Sequence, residues 1–88
     1  MKKNINKKNI KDQTKKILSK ILEIKFEKIS DKISIDAEAS WNSVNQIEII
    51  FDLEKIFKVK FKESEYPQMT SLENILGILK KYKGSNKI

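Results

Sequence analysis

A serine at the start of an amphipathic segment is the residue of this sequence best suited to carry a chemical group. Residues 41–62 read WNSVNQIEIIFDLEKIFKVKFK, and the apolar spacing predicts a helix that begins at Ser43. Free N–H groups and the helix dipole stabilise an anion at such an end, which suits a phosphate ester on Ser43. The local pattern by itself favours a plainer role, because SVNQ gives Ser43 the spacing of a capping-box N-cap with Gln46.

The composition excludes most enzyme chemistry. The 88 residues include no histidine and no cysteine, so Ser43 has no histidine to activate it as a nucleophile, and thiolate metal sites and disulfides are excluded. We therefore expect a non-catalytic protein without a metal site. The uncharged runs are too short to cross a bilayer and the start lacks the apolar part of a secretory signal, so we expect a cytoplasmic location.

The net charge of +7 belongs to one end of the chain. Residues 1–20 hold eight lysines and one acid, whereas residues 21–88 hold eleven lysines and eleven acids. Between residues 33 and 54 there is no lysine, and the acids are Asp36, Glu38, Glu48, Asp52 and Glu54. This middle region would repel phosphate backbones and attract a basic protein surface. The lack of arginine further disfavours a specific nucleic-acid reader.

The periodicity predicts an all-α protein, a small three-to-four-helix bundle with a long loop between the first and second helices. We predict a flexible basic tail over residues 1–9, one domain over residues 10–83 and a C-terminal tail over residues 84–88. The loop, residues 25–42, should be held to the core by its few apolar side chains: Ile29, Ile33, Ile35 and Trp41.

Helix limits follow from capping and stop signals. The first helix is predicted from Ile10 to about residue 24, and the second from Ser43 to Phe57. The third should begin near Thr70 or Ser71, where TSLE has the spacing of a capping box, and end at Gly84.

The second helix has apolar side chains on two opposite sides. At about 100° per residue, one side suits the core and comprises Ile49, Ile50, Leu53, Ile56 and Phe57. The other side comprises Val44, Ile47 and Phe51, beside Glu48 and Glu54. No fourth long helix is predicted to cover this second stripe. It is therefore either a partner surface or a surface buried by the long loop through Trp41 or Ile35.

The segment NSVNQIEIIFDLEKIFKVKF, residues 42–61, resembles the signature of the acyl carrier protein family. In that signature D-S-L is followed by an amphipathic V/I-E-L-V segment, then L-E, and then F with an apolar pair around a charged residue. The similarity continues through Met69, Thr70, Ser71, Leu72 and Ile75, which are like the family's entry into its last helix. It extends back through the first helix and so covers nearly the whole chain after the tail.

The resemblance implies that Ser43 carries a 4'-phosphopantetheine arm, attached by a phosphopantetheinyl transferase that uses coenzyme A and magnesium. The arm's thiol would hold an acyl group as a thioester for fatty-acid or specialised lipid and secondary-metabolite synthesis. The second helix is the family's recognition helix. The resemblance thus assigns the contact with acyl-loading and acyl-transfer enzymes to Val44, Ile47, Glu48, Phe51 and Glu54. We expect a monomer that is a substrate of these enzymes.

Three residues depart from the family pattern. Asn42 stands where the family usually has aspartate, Trp41 replaces the leucine-glycine approach of housekeeping carriers, and Lys55 lies on the recognition stripe where an acid is common. Together they indicate a carrier with restricted partners. Two alternatives stay open, a carrier of aminoacyl groups of the D-alanyl or peptidyl type and a degenerate, unmodified carrier-like interaction protein. Binding of nucleic acid or an anionic membrane by the basic tail is a secondary possibility.

Overall fold

The computed structural model describes residues 6–87, with side chains from Ile10 to Tyr82. Its elements are α1 (Asn6–Leu22), a 3-10 turn (Phe26–Lys28), α2 (Ser43–Phe57), a 3-10 segment (Glu63–Gln68) and α3 (Leu72–Lys87). Over this range there is no strand beyond one isolated bridge. The predicted all-α bundle is confirmed, as are both limits of α2.

The core lies where α1 packs against α2 and α3. Along α1 the buried residues recur at spacings of three and four, as the sequence predicted, and are Thr14, Ile17, Leu18 and Leu22. Thr14 is fully buried, and its hydroxyl donates to the Ile10 carbonyl at 2.7 Å, so no polar atom is left unsatisfied there. Because the bundle uses this apolar face, α1 does not present it to a membrane.

The two ends of the described chain differ from the predicted helix limits. Helix α1 begins at Asn6, four residues before Ile10, and α3 continues through Gly84 to Lys87. Gly84 does not end α3 because a glycine stop requires a left-handed residue, and no described glycine has a positive φ. The proposed tail residues 1–5 and residue 88 lie outside the described residues. The boundaries of the predicted domain, residues 10–83, stay a prediction.

Left-handed residues do end the other two α-helices. Glu23 has φ 58° after α1, and Lys58 has φ 57° after α2. At each end an amide folds back over the last turn. The Ile24 N–H donates to the Ser19 carbonyl at 3.1 Å, and the Val59 N–H donates to the Glu54 carbonyl at 3.2 Å. These bonds satisfy carbonyls that a helix end would otherwise leave free.

The long loop between α1 and α2 is tied to the start of α3. Its side chains Ile29, Ile33 and Trp41 are buried and Ile35 is half-buried, which confirms the predicted attachment. Backbone bonds add a second attachment beside Ser34, where the Ile35 N–H donates to the Thr70 carbonyl at 2.9 Å. The Leu72 N–H donates to the Ile33 carbonyl at 3.1 Å.

A partly exposed ion cluster joins the same loop to α1. Lys11 and Lys15 each place their Nζ 2.9 Å from an Asp31 carboxylate oxygen. Hydrogen bonds from Lys15 and Lys11 lower the pKa of Asp31 from 3.8 to about 2.

The 3-10 segment Glu63–Gln68 is fixed to α3 through a buried carboxylate. Glu65 accepts hydrogen bonds from the Tyr82 hydroxyl at 2.5 Å and from the Lys62 N–H at 2.9 Å. The Tyr82 ring also meets Phe61 edge-on, with 5.3 Å between ring centroids. The hydrogen bond from Tyr82 is the main cause that lowers the pKa of Glu65, and it raises the pKa of Tyr82.

Candidate functional site

Helix α2 is capped by Asn42 rather than by Ser43. The Asn42 side-chain oxygen accepts from the Asn45 N–H at 2.9 Å, and its carbonyl accepts from the Gln46 N–H at 2.8 Å. Asn42 has extended backbone angles, as an N-cap residue does. The predicted cap at Ser43 is therefore wrong by one residue. Asn42, not Ser43, accepts the hydrogen bond from the N–H of Asn45, the third residue of α2. Ser43 becomes the first helical residue.

This shift leaves the Ser43 hydroxyl available. The side chain is exposed and makes no hydrogen bond with any residue that the structure describes. The backbone N–H groups of Ser43 and Val44 lie in the first turn, where a helix offers no carbonyl partner. A phosphate on the Ser43 oxygen would therefore lie beside two free donors and the positive end of the α2 dipole. The residues present fit a phosphodiester at this position.

Gln46 connects the approach to Ser43 with the far side of the bundle. Its side-chain oxygen accepts from the Trp41 ring N–H at 2.6 Å. Its side-chain nitrogen donates to the Met69 carbonyl at 2.7 Å and to the Tyr66 carbonyl at 3.3 Å. Trp41 is 2% exposed, so this bond satisfies a buried ring donor. The capping-box role predicted for Gln46 is wrong, because these tertiary partners use both ends of its amide.

Asn45 holds the same approach from the other side. Its side-chain nitrogen donates to the Ser40 carbonyl at 2.7 Å. The Ser40 hydroxyl in turn donates to the Glu38 carboxylate at 2.9 Å. The residues before Ser43 are thus held by side-chain bonds from α2. Sequence reasoning missed both this bond and the Gln46 contacts, since their partners lie in a loop or in a distant segment.

The second apolar stripe of α2 is exposed. Val44, Ile47 and Phe51 are 67%, 53% and 58% exposed. The alternative in which the long loop covers them is wrong over the described residues, because Trp41 points into the core and Ile35 is bonded to Thr70. Large apolar side chains at spacings of three and four on one exposed face are typical of a protein interaction surface. We call the docking face the side of α2 that carries Val44, Ile47 and Phe51 together with the charged residues beside them, Glu48, Glu54 and Lys55.

The core stripe of α2 is confirmed for four of its five predicted residues. Ile49, Ile50, Leu53 and Phe57 are buried, whereas Ile56 is 45% exposed. Ile56 lies at the edge of the α1–α2 contact, in a shallow groove of about 270 Å³ beside Ile17, Lys16 and Lys20. Its assignment to the core is wrong because α1 reaches only part of the way around α2.

Most acids of the middle region have partners within the protein. Asp52 lies 3.4 Å from the Lys20 Nζ, and a Glu54 carboxylate oxygen accepts from the Phe61 N–H at 3.0 Å. Glu48 is exposed and has no ion-pair or hydrogen-bond partner among the described residues. Glu54 therefore has a structural bond, and its predicted contact with partner enzymes stays a prediction.

Two further features bear on the kind of site. Over the described residues there is no group of three or more side chains that would hold a metal ion. In the same part of the chain no helix is both long enough and apolar enough to cross a membrane.

Known proteins with similar sequences come from the same family whose signature residues 42–61 resemble. No family model matches the chain. An acyl carrier protein of Buchnera aphidicola subsp. Schizaphis graminum is 31% identical over 65 residues, which cover 74% of this chain and 82% of that protein. The acyl carrier protein of Buchnera aphidicola subsp. Baizongia pistaciae is 28% identical over 74 residues, or 84% of this chain and 95% of the relative.

The chain belongs to the acyl carrier protein family. Membership supports a carrier role rather than a catalytic one, and in general it implies a phosphopantetheine group and acyl-handling enzymes as partners.

Proposed function

We propose that this chain holds an acyl group as a thioester on a 4'-phosphopantetheine arm attached to Ser43. It presents the group to acyl-loading and acyl-transfer enzymes of fatty-acid or specialised lipid synthesis. The observation that carries the proposal is the Ser43 hydroxyl, which is exposed and without a hydrogen-bond partner among the described residues, at the first turn of α2. We further propose that the chain acts as a monomer in the cytoplasm.

Attachment of the arm is a phosphoryl-group transfer. The Ser43 oxygen forms a bond to the phosphorus of coenzyme A nearest the pantetheine, the pyrophosphate P–O bond breaks, and the adenosine bisphosphate half leaves. The serine proton passes to a base of the transferase, because this chain has no histidine to accept it. When bound, the arm supplies the thiol that this cysteine-free chain lacks.

The chain's own residues position the attachment point. Asn42 closes the first turn of α2 and leaves the Ser43 hydroxyl outside it. Trp41, held by Gln46, fixes the backbone just before Ser43. A transferase would therefore meet a serine on an ordered turn, which lowers the entropy cost of aligning it for attack.

A degenerate, unmodified carrier is the second candidate, and Asn42 is the residue that favours it. An amide in place of the family's carboxylate brings no negative charge to a magnesium ion in the transferase complex. The capping geometry nevertheless supports a modifiable site, since the Asn42 amide makes the bond that an aspartate cap would make. An Asn42→Asp variant tests the remaining difference, which is the charge.

The lysines of α1 give limited support to nucleic-acid or membrane binding. Lys11 and Lys15 are engaged by Asp31, and Lys20 lies beside Asp52. The side chains of the predicted basic tail, residues 1–9, lie outside the described side chains, and binding by this tail stays a prediction.

The testing experiment is intact-mass spectrometry after incubation with coenzyme A, magnesium and a broad-specificity phosphopantetheinyl transferase. We expect one arm-sized mass gain in the natural chain and none in Ser43→Ala. Asn42→Asp should be modified faster if the missing charge slows the transferase. No gain in the folded natural chain with a panel of transferases, together with a gain in Asn42→Asp, would establish the degenerate carrier instead.

A further inference from the structure

The docking face carries one acid and one base that have no partner among the described residues. Glu48 and Lys55 are both exposed, and neither forms an ion pair or hydrogen bond with the described part of the chain. The neighbouring acids differ, since Asp52 is paired with Lys20 and Glu54 is bonded to the Phe61 N–H. The sequence predicted an acidic surface. Among the described residues of the folded docking face, the charges without a partner are one of each sign.

These two charges alternate with the apolar side chains along α2. Val44, Glu48, Phe51 and Lys55 follow one another at steps of four, three and four residues, which places them in one file on a helix. Seven residues separate Glu48 from Lys55, or about 10 Å along the axis at about 1.5 Å per residue. The file is therefore negative toward Ser43 and positive toward the end of α2.

We propose that this file docks an enzyme surface of opposite polarity, and that Lys55 selects the enzyme. The partner surface carries a lysine or arginine facing Glu48 and an aspartate or glutamate facing Lys55, with apolar depressions for Val44 and Phe51. A uniformly basic surface is disfavoured because it would place a like charge against Lys55. The inference rests on the proposed function, and it commits to the phosphopantetheinyl transferase of the same cell, because that enzyme has to reach Ser43 at the start of the same helix.

A second copy of the chain is a less suitable occupant. An antiparallel pair would match Glu48 with the other copy's Lys55, but a single file of four side chains is much smaller than the about 800 Å² that each partner buries in a stable interface. Transient contact with an enzyme does not need that area. An anionic lipid surface is disfavoured by the exposed Glu48 within the file.

The test compares the KM of the transferase for the natural chain, Lys55→Glu and Glu48→Lys, with Lys80→Glu as the matched control. Lys80 is an exposed lysine of α3, so Lys80→Glu makes the same change in net charge as Lys55→Glu, but away from the docking face. Circular dichroism melts establish that each variant is folded. We expect each variant of the file to raise KM by about three- to fivefold at low salt, and less at high salt, because the charges are exposed. The control should stay within error of the natural chain.

Each other outcome overturns the inference in a recognisable way. A lower KM for Lys55→Glu would establish a uniformly basic partner, and a KM equal to that of the control would remove Lys55 from the interface. Sedimentation tests for self-association. A dimer of the natural chain that is lost in Lys55→Glu and restored in the double variant Glu48→Lys, Lys55→Glu would make a second copy the occupant. Failure of the proposed function looks different, since the natural chain would then gain no arm at all.

Discussion

Ser71 and Ser43 stand at the starts of α3 and α2, and their hydroxyls differ in hydrogen bonding. Ser71 precedes α3, is half-buried, and its hydroxyl accepts from the Asn74 N–H at 3.1 Å. Ser43 opens α2, is exposed, and leaves the capping bond to Asn42. A hydroxyl that caps its own helix is engaged, whereas a hydroxyl one residue further in is available for modification. A difference of one position thus separates a serine whose hydroxyl caps its helix from a serine whose hydroxyl makes no bond with the described residues.

The largest expected effect concerns which serine is modified. Ser71→Ala should keep the full arm-sized mass gain, and peptide mapping of the natural chain should place the arm on the fragment that contains Ser43. The reason is that the Ser71 hydroxyl is bonded and half-buried. An arm found on a fragment with Ser71 would refute the comparison.

Removal of the Gln46 contacts should cost the most stability at the start of α2. Gln46→Leu leaves the buried Trp41 ring N–H without its acceptor and two carbonyls without a donor, and we expect a loss of about 2 to 3 kcal/mol in unfolding free energy. Urea denaturation measures it. The matched control is Asn74→Leu near the start of α3, where the exposed amide donates only to the Gln68 carbonyl, so the loss should stay below about 1 kcal/mol.

The capping assignments predict a smaller but ordered effect. Asn42→Ala and Ser71→Ala should each lower the free energy of unfolding by about 1 kcal/mol, because each removes a side-chain acceptor at a helix start. Ser43→Ala should change it by no more than about 0.5 kcal/mol, as for other surface substitutions. Thermal or urea unfolding of the three variants checks the order. If Ser43→Ala lowered the free energy of unfolding as much as Asn42→Ala, Ser43 rather than Asn42 would be the N-cap of α2.

The smallest effect is a dependence on pH at the loop that leads to α2. The folded pKa of Asp31 is about 2, below its ordinary value of 3.8, so the stabilisation is present above about pH 4 and disappears as the pH falls toward 2. Unfolding of the natural chain and Asp31→Asn should therefore differ at pH 6 and converge near pH 2. Glu65 also titrates in acid. Because both proteins contain it, its contribution cancels in the difference between their free energies of unfolding. An unchanged difference at pH 2 would mean that the Lys11 and Lys15 contacts do not act through charge.

Local rules predicted the second helix well. Its periodicity placed the limits at Ser43 and Phe57 and separated the docking face from a core stripe of which four of five residues are buried. These features depend on neighbours three or four residues apart, so they are written in the sequence. The family resemblance came from the same stretch, and the similar proteins bear it out.

Features that depend on partners distant in sequence were beyond local rules. Gln46 reads as a capping residue, yet its bonds go to Trp41, Tyr66 and Met69. Ile56 reads as a core residue, yet α1 does not reach it fully.

The sequence alone determined that this protein is a helical bundle. It also determined that α2 begins at Ser43 and has a second apolar stripe that the core does not need. The tertiary structure decided that the Ser43 hydroxyl has no partner among the described residues and that the second apolar stripe of α2 is exposed. It also left the docking face with one free charge of each sign among the described residues. The physical reason is that caps, burial and ion pairs depend on which segments meet in space. Ser43 loses the capping role to Asn42. Asp52 gains an ion pair with Lys20, and Glu54 accepts a bond from the Phe61 N–H, only after the chain has folded.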